Sequence, residues 1–257
     1  MKIKRNVTIF FLLLGILFLI IGAQWDLMIS NALYDPKNLF GRFLQDGFPL
    51  LLELWLACCF LVMNDRKHWY WLIGTLLSLM LLVKDSICAL PIGSWCWVWL
   101  FASILTVLML RVLYKWLTPW QKQFLRSWII FFLQVFFTTI CIVFIMKMIW
   151  GRIRFRDLQD ATSFCVWYRP CLQGGTSFPS GHTSTFAACL LPLLSVPQIK
   201  RKRMAAVLIS ILIILMMISR IMMGAHYLSD TAAGMLIALG CWNFYDHRWE
   251  RWFHEHA

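Results

Sequence analysis

Val7 to Ala23 reads VTIFFLLLGILFLIIGA, a stretch without a charged residue or a proline. Such a run decides the class of the fold. About 20 mostly apolar residues in a helix cross about 30 Å of hydrocarbon, where every backbone amide must be bonded within the segment. Seven further runs follow, at about Phe48 to Met63, Trp69 to Leu90, Trp95 to Leu113, Trp128 to Trp150, Gly181 to Val196, Met204 to Met223 and Leu228 to Tyr245. The second and sixth are the shortest. The chain as a whole is 61% hydrophobic and 14% charged, against roughly 25% charged in soluble domains, and its mean hydropathy is +0.71. The expected fold is an all-α, polytopic membrane helix bundle of about eight spans.

Basic residues orient such a bundle, because Lys and Arg gather in cytoplasmic loops near span ends. Of the 24 Lys and Arg, one side takes Lys2, Lys4, Arg5, Arg66, Lys67, Arg111, Lys115, Lys122, Arg126, the run Lys200 to Arg203, Arg248 and Arg251; the other side takes the minority. Both termini are therefore expected in the cytoplasm, with segments 24–47, 91–94, 151–180 and 224–227 outside. The net charge of +12 follows mainly from this bias, so nucleic acid is not an expected partner. Basic residues ahead of the first apolar run resemble a signal peptide, but the run is long for one and IGAQ is a poor cleavage site, so it reads as an uncleaved span. No repeat or long linker divides the chain.

Ionisable residues at span ends facing one compartment are functional candidates. Three clusters fall on the expected outer face: KMIWGRIR from Lys147 to Arg154, PSGH from Pro179 to His182, and SRIMMGAHYLSD from Ser219 to Asp230. Lys147, Arg154 and Arg220 offer positive charge, and an arginine meets phosphate oxygens through two parallel hydrogen bonds. Ser180 and Gly181 stand where a helix begins, so their N–H groups are expected to be free to hold an anion. If the last span begins before His226, Asp230 lies one turn on and accepts a proton from one imidazole nitrogen, leaving the other free to attack. His182, beside the anion cradle, is placed to protonate a leaving oxygen. Each residue alone has an ordinary reading: an interfacial histidine, a lysine snorkelling to headgroups, a turn. The coincidence of three complementary clusters on one face favours the catalytic one.

Together the clusters resemble the signature of the type 2 phosphatidic acid phosphatase family, K-x6-RP, PSGH and SR-x5-H-x3-D. Lys147 and Arg154 match the first element, Pro179, Ser180, Gly181 and His182 the second, and Ser219, Arg220, His226 and Asp230 the third, the likeness covering about residues 128 to 245. Phe155 stands where the family has proline, so the loop after Arg154 is expected to take a different path. The resemblance implies a metal-independent lipid phosphatase working through a phosphohistidine. His226 is the implied nucleophile, Asp230 its orienting partner and His182 the acid; Lys147, Arg154, Ser180, Gly181 and Arg220 hold the phosphate. It implies no cofactor and no metal. By the same analogy residues 1–68 form two additional spans and residues 69–257 a core with six helices.

The expected partners are a lipid phosphate and the surrounding membrane lipids; the oligomeric state is left open. Undecaprenyl pyrophosphate, phosphatidylglycerophosphate, phosphatidic acid and lipid A all remain candidate substrates, and the short loops favour a bacterial inner-membrane enzyme. Two other readings stay open, a phosphotransferase using the same phosphohistidine and a non-catalytic lipid-phosphate binding or translocating protein. Cys165 and Cys171, in the 151–180 segment, are close enough in sequence for a small-loop disulfide, but spacing leaves bonded and free thiols equally open.

Overall fold

The computed structural model describes residues 2–63, 73–77, 79–81, 83 and 94–256. The span expected at 69–90 lies largely outside them. Among the described residues the chain is helical with no strand: α1 (Lys2–Leu33), α2 (Leu39–Met63), α3 (Ser94–Lys115), α4 (Pro119–Trp150), α5 (Gly181–Leu190), α6 (Lys202–Met222) and α7 (Leu228–His256). The apolar runs dictate this, since a helix satisfies its own backbone in lipid. Segments at Lys2–Leu33, Leu39–Met63, Val98–Lys115, Pro119–Asp157 and Lys202–Met222 are long and apolar enough to cross a membrane, and the protein is an all-α membrane bundle.

The expected sixth span takes a different form. It is the ten-residue α5 followed by a 3-10 turn at Leu191–Ser195. Pro192 has no N–H to continue the α-helical ladder. At 1.5 and 2.0 Å per residue the two pieces rise about 25 Å, less than the 30 Å core. Ala187, Ala188, Leu191 and Leu194 are all buried, so the element packs inside the protein.

The chain forms two compact units, residues 1–42 with 131–257, and residues 43–130. In the second unit Ala57, Cys58 and Val107 form a small core against Leu54, Leu61, Leu79 and Leu110. In the first, α1 lies along α7 and also touches α6, while α5 packs on α6 and α7. Small residues allow the close approach of α1 and α7, as in other membrane helix pairs. A Cβ at Gly22 would come within 2.8 Å of the Ser229 Cβ.

The two helices run antiparallel and are tied at both ends. At one end Lys4 Nζ donates to Asp246 Oδ1 (2.7 Å) and Glu250 Oε1 (2.9 Å). The Ser195 hydroxyl donates to the same Asp246 oxygen (2.5 Å) and accepts from Trp242 Nε1 (3.0 Å). At the other end the contact is between Asp26 and Ser229, whose N–H donates to Asp26 Oδ1 at 3.0 Å.

Candidate functional site

The three sequence clusters meet in the first unit. α4 ends at Trp150, and Gly151 turns the chain with φ +59°, a left-handed conformation that favours glycine. Its carbonyl accepts from Gln173 and Gly175, and the Trp150 carbonyl accepts from Cys171 and Leu172. The 151–180 segment is thereby folded back over the end of α4. Cys165 and Cys171 are joined in a disulfide with Cα atoms 6.0 Å apart, which settles the choice that spacing left open. Phe155 opens a 3-10 turn, Phe155–Asp157, and sets its ring edge-on to Tyr34 (5.2 Å) and Tyr227 (6.3 Å). The Arg156 N–H donates to the Gly224 carbonyl at 3.0 Å. The first cluster is thus pinned to the loop that carries His226.

Ser180 is the N-cap of α5, its hydroxyl accepting from the Thr183 N–H. Sequence reasoning left the Ser180 N–H for an anion, but it donates to the Asp230 carbonyl at 2.9 Å. Ser180 therefore ties α5 to α7, and the anion-facing end of the helix begins at Gly181. There Lys147 lies across the helix start: a Cβ on Gly181 would sit 3.7 Å from the Lys147 Cε. Lys147 Nζ donates to the Thr176 carbonyl. His182, the second residue of α5, is half-buried. Arg154, also half-buried, has a buried Nε with no hydrogen-bond partner among the described residues. Arg220 is buried near the end of α6 and its carbonyl accepts from Ala225 and His226, which curls the 223–227 loop back and brings His226 to the same place. Lys147 is within electrostatic range of Arg154, Arg220 and Asp230.

His226 is buried, and burial pushes its imidazole down to about 3, with the Lys147 and Arg220 charges acting in the same direction. The ring is neutral at ordinary pH. Its Nδ1 is 2.7 Å from the Ser177 carbonyl oxygen. A carbonyl only accepts, so Nδ1 carries the proton and Nε2 keeps its lone pair.

The expected pairing with Asp230 is different in detail. Asp230 Oδ2 is 3.8 Å from Nδ1, beyond a hydrogen bond. One reason is that α7 starts at Leu228, after His226, so the two residues do not share a helix face. The other is that Asp230 is occupied. Its Oδ2 accepts from the Ser177 hydroxyl (2.5 Å) and from the Tyr227 N–H (2.9 Å), the second as a third-position carboxylate capping its own helix. Its Oδ1 accepts from Arg152 NH1 at 2.6 Å. Ser177 thus joins the pair, its carbonyl on His226 and its hydroxyl on Asp230.

Arg152 was missed by sequence reasoning, although it lies inside KMIWGRIR. It is buried, with NH1 on Asp230 and on the Ser229 hydroxyl (2.9 Å), NH2 on Asp26 Oδ2 (2.9 Å) and Nε on the Cys165 carbonyl (2.8 Å). The Tyr227 ring covers its guanidinium at 4.1 Å and Phe164 lies at 5.3 Å. Asp26 was missed as well. The available signal was that it is the only acidic residue among the first 34, and an ionisable group at a span end on the expected outer face is a functional candidate.

The assembled site has a neutral histidine with its Nε2 lone pair kept, a second histidine on the first turn of α5, Lys147 across that helix start, and Arg154 and Arg220 within electrostatic range of Lys147. This arrangement suits nucleophilic attack on a phosphoryl group. Among the described residues no group of three or more His, Cys, Asp or Glu is placed to hold a metal. Compared with known families, residues 127–253 match the model of the PAP2 superfamily. No curated protein and no solved structure matches the chain.

Proposed function

This chain belongs to the PAP2 superfamily through residues 127–253, a superfamily of phosphatases acting on phosphate esters, and on that premise we propose that it is a lipid phosphatase working through a phosphohistidine at His226. The observation that carries the reading is the hydrogen bond from His226 Nδ1 to the Ser177 carbonyl, which leaves Nε2 unprotonated on a ring within electrostatic range of Lys147 and Arg220.

In the first step Nε2 attacks phosphorus, and the bond from phosphorus to the lipid oxygen breaks. His182 gives that oxygen its proton. In the second step water attacks the phosphohistidine, His182 takes a proton from the water, and phosphate leaves with Nε2 restored. Lys147, Arg154, Arg220 and the Gly181 N–H hold the phosphoryl oxygens, where negative charge grows in the transition state. Ser180 contributes by fixing the helix start. These donors supply the charge stabilisation that a divalent ion gives in metal-dependent phosphatases, and the proposed reaction runs without one.

The protein's membrane location lets a lipid present its phosphate while its chains stay in the bilayer. The proposed site faces the exterior. The basic-residue asymmetry supports this orientation, as does the Cys165–Cys171 disulfide, since such bonds persist in oxidising compartments. The test is phosphate release by the purified chain in detergent from a panel of lipid monophosphates and pyrophosphates, beside His226→Ala. Release that depends on His226 supports the reading; release equal in both proteins overturns it.

A further inference from the structure

The buried Asp26–Arg152–Asp230 array has a larger consequence than joining two helices. Asp26 and Asp230 are each 0% exposed and Arg152 is 1% exposed. The array sets two carboxylates on one guanidinium in the interior. An array of this kind is weak as a stabilising device, because the cost of removing charges from water rivals their attraction. Its geometry is closely determined. The planar guanidinium holds one carboxylate on NH1 (2.6 Å) and the other on NH2 (2.9 Å), in a fork that lysine cannot reproduce. Asp26 accepts from both the N–H and the hydroxyl of Ser229, the residue before Asp230. Asp26 thus fixes Arg152 and the first turn of α7 together. That turn carries Asp230, which holds the Ser177 hydroxyl while the Ser177 carbonyl holds His226.

We infer that Asp26 and Arg152 are positioning residues for the His226 centre, so that α1, which lies outside the family-matched residues, completes the active site. The inference rests on the phosphatase reading given above. Without Asp26, NH2 of Arg152 loses its anchor and the guanidinium turns to grip Asp230 with both nitrogens. Asp230 is then drawn away from the Ser177 hydroxyl and the Tyr227 N–H. His226 loses its fixed ring angle, though none of the groups that bind phosphate has been removed. The effect belongs in kcat rather than KM. Partners standing behind metal ligands are worth about 10- to 100-fold, and a loss of that order is expected here.

The experiment uses the full chain in detergent, with folding followed by thermal unfolding and size exclusion. Asp26→Asn removes one of the two carboxylates and leaves the Arg152–Asp230 pair. Its kcat for phosphate release should fall about 10- to 100-fold with KM near that of the parent, and Asp26→Glu should recover part of the rate. Asp246→Asn at the other end of the helix pair is the control; it should lower the unfolding temperature without changing kcat. If Asp26→Asn gives no folded protein, Arg152→Lys poses the same question, since it keeps the charge and loses the fork. Folded Asp26→Asn or Arg152→Lys with the parent's kcat overturns the inference while the phosphatase reading stands. A parent chain that releases no phosphate overturns both.

Discussion

The two ends of the α1–α7 pair carry buried carboxylates that look alike in sequence and differ in use. At one end Lys4 meets Asp246 and Glu250 with side chains 13%, 11% and 32% exposed, and each ion keeps some water. At the other, Asp26, Arg152 and Asp230 have no exposed side-chain surface. The first is an ordinary clamp, in which two acids share a lysine at a helix end. The second is costly to bury, and it touches the loop and helix that hold His226 and Ser177. In the proposed reading, proximity to His226, rather than burial of charge as such, separates the positioning array from the structural clamp.

The largest effect that distinguishes the two ends is expected at the reacting atom. His226→Ala should lower phosphate release by at least about 10⁴-fold, the scale on which loss of a nucleophile is felt, in protein that still elutes as a folded species on size exclusion. His182→Ala should lower turnover of an alkyl lipid phosphate by about 10²- to 10⁴-fold, the usual worth of a general acid, and spare p-nitrophenyl phosphate, whose leaving group needs little protonation. Equal losses on the two substrates would remove His182 from that role.

Moving to the clamp, Asp246→Asn should reduce stability by about 1–3 kcal/mol, the worth of a charge-assisted hydrogen bond with its buried partner left behind. Chemical denaturation of the purified protein measures it, and a fall in kcat of the folded variant would erase the distinction between the ends. Replacing both Cys165 and Cys171 by serine removes a short loop closure worth about 2 kcal/mol. Since the Cys165 carbonyl accepts from Arg152, a modest drop in kcat should accompany it. The smallest effect is expected from EDTA, which should leave the rate unchanged. Complete inhibition reversed by one particular metal would contradict the proposed charge stabilisation.

Acid pH probes the same contrast. His226 is held neutral, with its value pushed down to about 3, whereas an unfolded histidine titrates near about 6.5. Below about 6.5 the unfolded chain binds a proton that the folded chain refuses. The resulting stability contribution is complete above that value and is lost as pH falls towards about 3. His226→Gln should flatten this part of the stability profile, and the acid limb of kcat/KM should belong to other groups.

Much of the architecture was legible because the physics is one-dimensional: length and hydropathy of a run suffice for a helix in lipid. The three clusters were legible for a related reason, since each is a short motif whose chemistry is local. The differences concern contacts that need three dimensions. Asp230 does lie beside His226, at 3.8 Å, but not through a shared helix face, since α7 begins after His226, and its shorter contact is to Arg152, 78 residues away in sequence. The Ser180 N–H was left for a ligand because its partner, the Asp230 carbonyl, is remote in sequence. Asp26 could be flagged as a lone acid just past the first apolar run, but only packing against Ser229 gives it a partner. The ten-residue α5 was read as a full span because Pro192 was not weighed as a break.

The most direct test of the proposed chemistry is to locate the phosphate during turnover. The parent chain is mixed with substrate, quenched in base within the first turnover, digested and read by tandem mass spectrometry. The account predicts an acid-labile, base-stable phosphoryl group on the peptide containing His226, absent in His226→Ala. A phosphoryl group on another residue, or turnover with no phosphorylated peptide when its breakdown is slowed, would contradict it.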